Sequence, residues 1–291
     1  MFGLWFYLAL GCALLTAGCD AVSKRLMQEN DVWITGTVLL GLSVMMLSPL
    51  LIHMEFRPVS QELIMVLAVA VPLEVVSYYL FLSAIQMAPL SLTVPLLSFT
   101  PVLTILTGAV LVGETISRQG SVGVALVAVG AYVLNADLIS RDFLAPARAV
   151  FSNPGARRML GVAVIWSVTS ALGKKGILIY GALPFAILLI CGNLAAFALV
   201  SAFRLRTGHA SFSYAPGTLG LFLLGGLLLA AAEATHFISL SMAPVAYMIS
   251  VKRLSLVFSV IFGWLVFRER NVGFRLVGAS VMVAGVFLLY N

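Results

Sequence analysis

Ten apolar runs divide this chain, at about residues 3–22, 33–52, 62–86, 89–112, 117–138, 158–178, 182–203, 216–240, 244–267 and 272–290. Each holds roughly the 20 residues that carry an α-helix across a hydrocarbon layer. Together they use up most of the 291 residues. What remains suffices for short loops and one longer connector, but not for a soluble domain. Only 10% of the residues are charged and 62% are hydrophobic, where a soluble domain carries about 25% charged residues. Such a chain has too little polar surface for water, and lipid removes the need for it. The expectation is an all-α integral membrane protein of ten transmembrane helices, numbered here 1 to 10 in chain order.

The net charge of +6 sits mostly in short loops, where Lys and Arg record membrane orientation, so nucleic acid is not an expected partner. Cys12, Cys19 and Cys191 lie in apolar stretches without disulfide or metal-ligand spacing, and read as small packing residues. The first run resembles a signal peptide, with Thr16-Ala17-Gly18-Cys19 like a cleavage box, but Met1-Phe2-Gly3 offers no basic start. It reads as a retained first helix. The connector, residues 140–157, mixes Arg141, Asp142 and Arg148 with Phe143, Leu144 and Val150. An interfacial amphipathic helix and a plain linker are both open for it.

Internal repetition is the most informative pattern. Met87-Ala88-Pro89 recurs as Met242-Ala243-Pro244, an offset of 155, and at that offset Gly108, Glu114, Gly123 and Gly130 match Gly263, Glu269, Gly278 and Gly285. Ala21, Lys24 and Arg25 match Ala171, Lys174 and Lys175 at an offset of 150. The halves are residues 1–139 and 158–291. A unit of five helices is odd in number, so its second copy enters the membrane from the opposite face. That makes a 5+5 inverted repeat, the architecture by which transporters open one central site to either side in turn.

A Glu closing helix 4 before a glycine-spaced helix 5 resembles the EamA branch of the drug/metabolite transporter superfamily. The first copy reads Leu111-Val112-Gly113-Glu114, then Gly120, Gly123 and Gly130; the second reads Phe267-Arg268-Glu269, then Gly273, Gly278 and Gly285. The resemblance covers essentially the whole chain. It implies a ten-helix fold, transport of a small-molecule or lipid-linked metabolite without a cofactor, a bacterial inner membrane and termini inside. The substrates of that superfamily range from amino acids to nucleotide sugars, sugar phosphates and lipid-linked sugars, so the resemblance does not choose among them. A monomer is consistent with it.

Ionisable groups within membrane spans are costly and mark function by default. Lys252 and Arg253 interrupt helix 9. They read either as an electropositive lining for an anionic group or as partners of an acid on a neighbouring helix. The first alternative resembles the plant sugar-phosphate translocators of the same superfamily, which hold phosphate with an adjacent Lys-Arg. Their counterparts in the first half are Leu97 and Ser98, so the charge is one-sided. Glu233 and His236 share a face of helix 8; Glu233 is the natural ion-pair partner for Lys252 or Arg253, or else a proton site. Glu74, Tyr78 and Tyr79 in helix 3 are placed to line the same space, since Tyr78 matches Glu233 across the repeat. Asp20 and Lys24, four apart in helix 1, read as a local salt bridge or as a gate. Trp166, Asn193, Ser98 and Tyr247 complete the candidate substrate contacts.

Glu114 and Glu269 at helix C-termini are disfavoured by the helix dipole and call for a basic neighbour such as Arg118, Arg268 or Arg270. They read as structural pins. Pro95 and Pro101 kink helix 4 and free backbone carbonyls, which is tolerated where the backbone lines a cavity. No phosphate-binding glycine loop, metal cluster or nucleophile elbow suggests an enzyme, and the energy source would be solute exchange or an ion gradient.

Ten basic residues follow odd-numbered helices: Lys24, Arg25, Arg141, Arg148, Arg157, Arg158, Arg204, Arg206, Arg268 and Arg270. Arg57 and Arg118 follow even-numbered ones, joined by Lys174 and Lys175 if helix 6 ends before them. This count places the termini outside, against the resemblance. The expected function is a secondary transporter of a small, anionic (phosphate- or carboxylate-bearing) metabolite. The alternatives are a flippase for a lipid-linked phosphate, an amino-acid or drug exporter, and a non-transporting scaffold.

Overall fold

The computed structural model describes residues 3–54, 58–88, 93–136, 153–209, 217–258 and 273–289. Among them there are α- and 3-10 helices and no strand. The α-helices are α1 (Leu4–Leu26), α2 (Val32–Leu47), α3 (Gln61–Met87), α4 (Phe99–Val112), α5 (Arg118–Ala136), α6 (Pro154–Tyr180), α7 (Ala182–Arg206), α8 (Thr218–Met242), α9 (Val245–Lys252) and α10 (Gly273–Leu288). Two 3-10 segments, Ser48–His53 and Val94–Ser98, extend α2 and precede α4.

The helix starts follow from local chemistry. Asp31 accepts the Trp33 amide at 2.9 Å, Ser60 the Leu63 amide at 3.1 Å, and Asn153 the Gly155 amide at 2.8 Å ahead of Pro154 at the first helical position. Each supplies an acceptor for amides that have no partner within the helix. α4 stops at Gly113, whose φ of +78° is a left-handed conformation that glycine adopts without strain.

Six segments are long and apolar enough to cross a membrane: α1, α2 with its 3-10 extension, α3, α6, α7 and α8. The apolar stretches 96–112, 118–134 and 277–288 are shorter, and α9 has 8 residues. Large hydrophobic side chains face outward on the short helices and the long ones alike. Leu106, Val110, Leu199 and Phe203 are 65%, 72%, 74% and 66% exposed, a surface suited to lipid and not to water. The chain is therefore a multi-pass helical membrane protein.

α6 begins four residues earlier than the apolar run suggests and runs on to Tyr180. Lys174 and Lys175 thus lie within the helix and leave the loop-charge count. The 3-10 turn at Val94–Ser98 carries Pro95, which lacks an amide to give to an α-helix, so the irregularity in the fourth apolar run is a change of helix type before a regular α4. Residues 137–152, which hold most of the connector, and Glu269, Arg268 and Arg270 lie outside the described residues.

α1 packs on α8, α3 on α6, α2 on α7 and α8, α4 on α6 and α9, and α5 on α10. The α5–α10 seam is built from glycines seven residues apart on each helix. A Cβ on Gly123 would lie 2.7 Å from the Gly285 carbonyl oxygen, and one on Gly130 would lie 2.6 Å from the Met282 amide. Small residues let two backbones approach this closely, which in lipid is the main source of helix–helix attraction. Gly130→Ala is therefore expected to lower the thermal midpoint of the detergent-solubilised protein by several degrees, about 1–3 kcal/mol of overpacking. Gly11→Ala, with no atom within 4 Å of the added carbon, serves as the control that leaves the midpoint in place.

Candidate functional site

The site begins with a break in the backbone. α9 ends at Lys252, and the Arg253 amide is shared between the Ile249 and Ser250 carbonyls at 3.1 and 3.2 Å. The Leu254 amide takes the Val251 carbonyl at 2.9 Å, and helical backbone resumes over 255–258. This local tightening sits 155 residues after the 3-10 segment Val94–Ser98, the same offset that relates the sequence motifs. Both interruptions fall deep in the protein, where irregular backbone is tolerated beside a cavity.

A cavity of about 180 Å³ lies against the α9 break. Asp20 from α1, Glu74 and Tyr78 from α3, Trp166 from α6, Asn193 from α7, Glu233 and His236 from α8, and Lys252 and Arg253 all line it. Six helices thus bring nine of the candidate residues to one chamber, and Phe81, Thr169 and Phe237 share the walls. Four candidates do not line it. Tyr79 turns away and stacks on Trp33 with ring centroids 4.6 Å apart. Tyr247 packs over Gly120, with its hydroxyl 3.4 Å from Ser117 Oγ. Ser98 is buried in the 3-10 segment. Lys24 sits in the last turn of α1 and forms no ion pair with Asp20.

Arg253 is 6% exposed. Its guanidinium lies 5.6 Å from the centre of the Trp166 ring, a distance at which the face of an indole attracts a cation. Phe81 backs that indole, with centroids 5.2 Å apart. The Arg253 Nε is buried without a hydrogen-bond acceptor. Lys252 Nζ lies 3.2 Å from His236 Nδ1 and donates to it when the ring is neutral there. The direct ion pair expected between Glu233 and Lys252 or Arg253 is not formed: among the described residues, no carboxylate lies within 4 Å of either cation. The charges act at longer range, Asp20 with both cations, Glu233 with Lys252, and Glu74 with Glu233 and Lys252. Ser77 Oγ donates to Glu74 Oε2 at 3.4 Å. Among the described residues no His, Cys, Asp and Glu cluster is arranged to hold a metal.

Glu114 belongs to a second, separate polar cluster. It lies beyond the end of α4, and its Oε2 accepts the Val245 amide at 2.8 Å, at the first turn of α9. There the dipole favours a carboxylate. Its basic neighbour is Lys174, 3.8 Å away, and not the Arg118 that nearness in sequence suggested. Lys174 Nζ also donates to the carbonyls of Leu240, Ser241 and Ala243 at 2.7, 3.3 and 3.0 Å, closing the C-terminus of α8. One ammonium thus ties the α4–α5 loop, α6 and the α8–α9 corner together. Lys174→Met takes from three carbonyls their shared donor and from the partly buried Glu114 carboxylate its cation, and is expected to cost roughly 3 kcal/mol in thermal unfolding. Lys175→Met removes only the exposed 3.4 Å pair with Glu62 and is expected to stay within about 0.5 kcal/mol of the parent.

Helices enclosing a chamber lined by five charged side chains, within a surface made for lipid, define a polytopic solute carrier. Residues 3–136 match the EamA-like transporter family, which supports an EamA-type transporter of the drug/metabolite transporter superfamily. A solved structure, described only as the crystal structure of a protein, aligns over 98% of this chain and 96% of its own, with a TM-score of 0.74 at 16% identity. At that identity the likeness is one of fold. No curated protein sequence matches the chain.

Proposed function

We propose that the protein is a secondary transporter that alternates between two conformations around the α9 chamber, and that Arg253, with Lys252, holds an anionic group of its solute. The observation that carries this is the state of Arg253. It is a buried cation beside an aromatic ring, with an unsatisfied N–H and no carboxylate in contact. A guanidinium that cannot be deprotonated and is not neutralised by the protein is suited to a carboxylate or phosphate, which it meets through paired N–H donors.

The alternation is supported by the helix pairings. Exchanging each helix with the one five places along converts the α1–α8 contact into α6–α3 and the α1–α9 contact into α6–α4. The α2–α7 and α5–α10 contacts map onto themselves. That exchange is what a 5+5 inverted repeat requires, and it supports ten membrane crossings. Rocking one five-helix unit against the other opens the chamber to alternate sides.

The loop charges support an outward position for both termini in a plasma membrane. With Lys174, Lys175, Arg157 and Arg158 inside α6, Lys24 and Arg25 inside α1, Arg204 and Arg206 inside α7 and Arg118 inside α5, Arg141, Arg148, Arg268 and Arg270 remain after odd-numbered helices and Arg57 after an even-numbered one. A reporter that folds only in the cytoplasm, fused after Asn291, is expected to stay dark.

In proteoliposomes screened with phosphate- and carboxylate-bearing solutes, Arg253→Gln is expected to weaken binding of the transported solute about tenfold to a hundredfold, the loss of charged hydrogen bonds. Unchanged affinity with Gln in place of Arg253 would remove the basis for the anion subsite.

A further inference from the structure

The two ends of the chamber are built from matching residues. Asp20 and Ser23 line it from α1, and Ser170 and Gly173 line it from α6, 150 residues later. Leu82 of α3 and Phe237 of α8 match in the same way at the offset of 155. The next residue along α1 and along α6 is a lysine, Lys24 after Ser23 and Lys174 after Gly173. In a 5+5 inverted repeat these two lysines stand toward opposite faces of the membrane, each just beyond one end of the chamber.

The two lysines are in different states. Lys174 is buried. Its Nζ donates to the carbonyls of Leu240, Ser241 and Ala243, and Glu114 balances its charge. An ammonium has three donors and no acceptor, so three carbonyls use it fully. The corner that it closes is dense, with Ala243, Val245 and Ala246 all buried. Lys24 is half-buried and, among the described residues, forms no hydrogen bond or ion pair. The carbonyls that match those at the end of α8 belong to Ile85, Gln86 and Ala88 at the end of α3. The hydrogen bond that joins this end of α3 to α1 is a neutral one, from Gln86 Nε2 to the Met27 carbonyl at 3.2 Å. A lysine therefore locks one end of the chamber, and its counterpart at the other end is unengaged.

We propose that Lys174 and Lys24 are alternating latches of the transport cycle. Lys174, seated on the end of α8, seals the chamber toward the α8–α9 face in the conformation of this structure. Its release, with Lys24 seating on the end of α3, seals the α3–α4 face and opens the first. Lysine suits the task, because a cation is favoured at a helix C-terminus and its flexible stem lets a compact charge swing between carbonyls and water. Such a latch holds one face shut until the rocking of the two halves carries its acceptors away. This rests on the reading that the chamber opens to either face in turn, and the test separates the two.

The test measures which face of the membrane reaches the chamber. Ser170→Cys, in a full chain with Cys12, Cys19 and Cys191 replaced by alanine, places one thiol on the chamber wall. A small charged methanethiosulfonate that cannot cross lipid is applied to right-side-out and to inside-out vesicles, and the labelling rate from each face is read. The α8–α9 face is the one on which a fusion after Asn291 lies. In the parent, labelling is expected from both faces. Lys174→Met is expected to raise the ratio of α8–α9-face to α3–α4-face labelling about tenfold, and Lys24→Met to lower it by a similar factor. Lys24 has no polar partner to lose in this structure, so Lys24→Met is expected to fold and carries the test even if Lys174→Met does not. If Lys24→Met leaves the ratio unchanged, or if both variants move it the same way, the latch proposal is overturned. Labelling of the parent from both faces would then leave the alternation standing, whereas labelling from one face alone in all three proteins would remove the alternation and the latches together.

Discussion

Inside a hydrocarbon layer the backbone has no water to bond with, and every amide and carbonyl must find its partner within the protein. That single requirement makes the secondary structure of the described residues helical. It also makes each departure from the α-helix costly unless something local answers it. The departures here are answered by identifiable groups. Pro95 removes an amide where the backbone tightens to 3-10 geometry. The Arg253 amide is shared between two carbonyls where α9 ends. The end of α8 is closed by the Lys174 ammonium in place of solvent.

The same lack of water sets the chemistry of the chamber. Two cations and three carboxylates occupy one enclosed space, yet none is paired at contact distance. Direct pairing would neutralise the groups proposed to meet a solute. Instead Arg253 rests on the Trp166 face and Lys252 reaches His236, arrangements that steady a cation without cancelling its charge.

Much of this was legible in the sequence, and the reasons differ by feature. Apolar runs located the helices because length and hydropathy are properties of a single segment. Pro95 marked the interruption in the fourth run, while the one after α9, at the same offset of 155, shows only in the backbone hydrogen bonds. Charged residues in apolar runs led to the chamber, because burying a charge away from other polar groups is too costly to happen incidentally. What failed to show was direction. Tyr78 and Tyr79 are neighbours, but successive helical residues point about 100° apart, so one lines the cavity while the other stacks on Trp33. The partner of Glu114 was equally hidden. Lys174 lies 60 residues away and meets it only through the packing of α6 beside α4. Thr169 carries no charge to single it out, and only the assembled bundle places it on the chamber wall.

Trp166 gives the chamber an optical property of its own. Its indole neighbours both the Phe81 ring and the Arg253 guanidinium, and indole emission responds to nearby charge and polarity. A solute that draws the guanidinium toward itself alters the electric field across that ring. Occupancy of the chamber is thereby coupled to the protein's intrinsic fluorescence, and filling and emptying can be followed in real time without any attached dye.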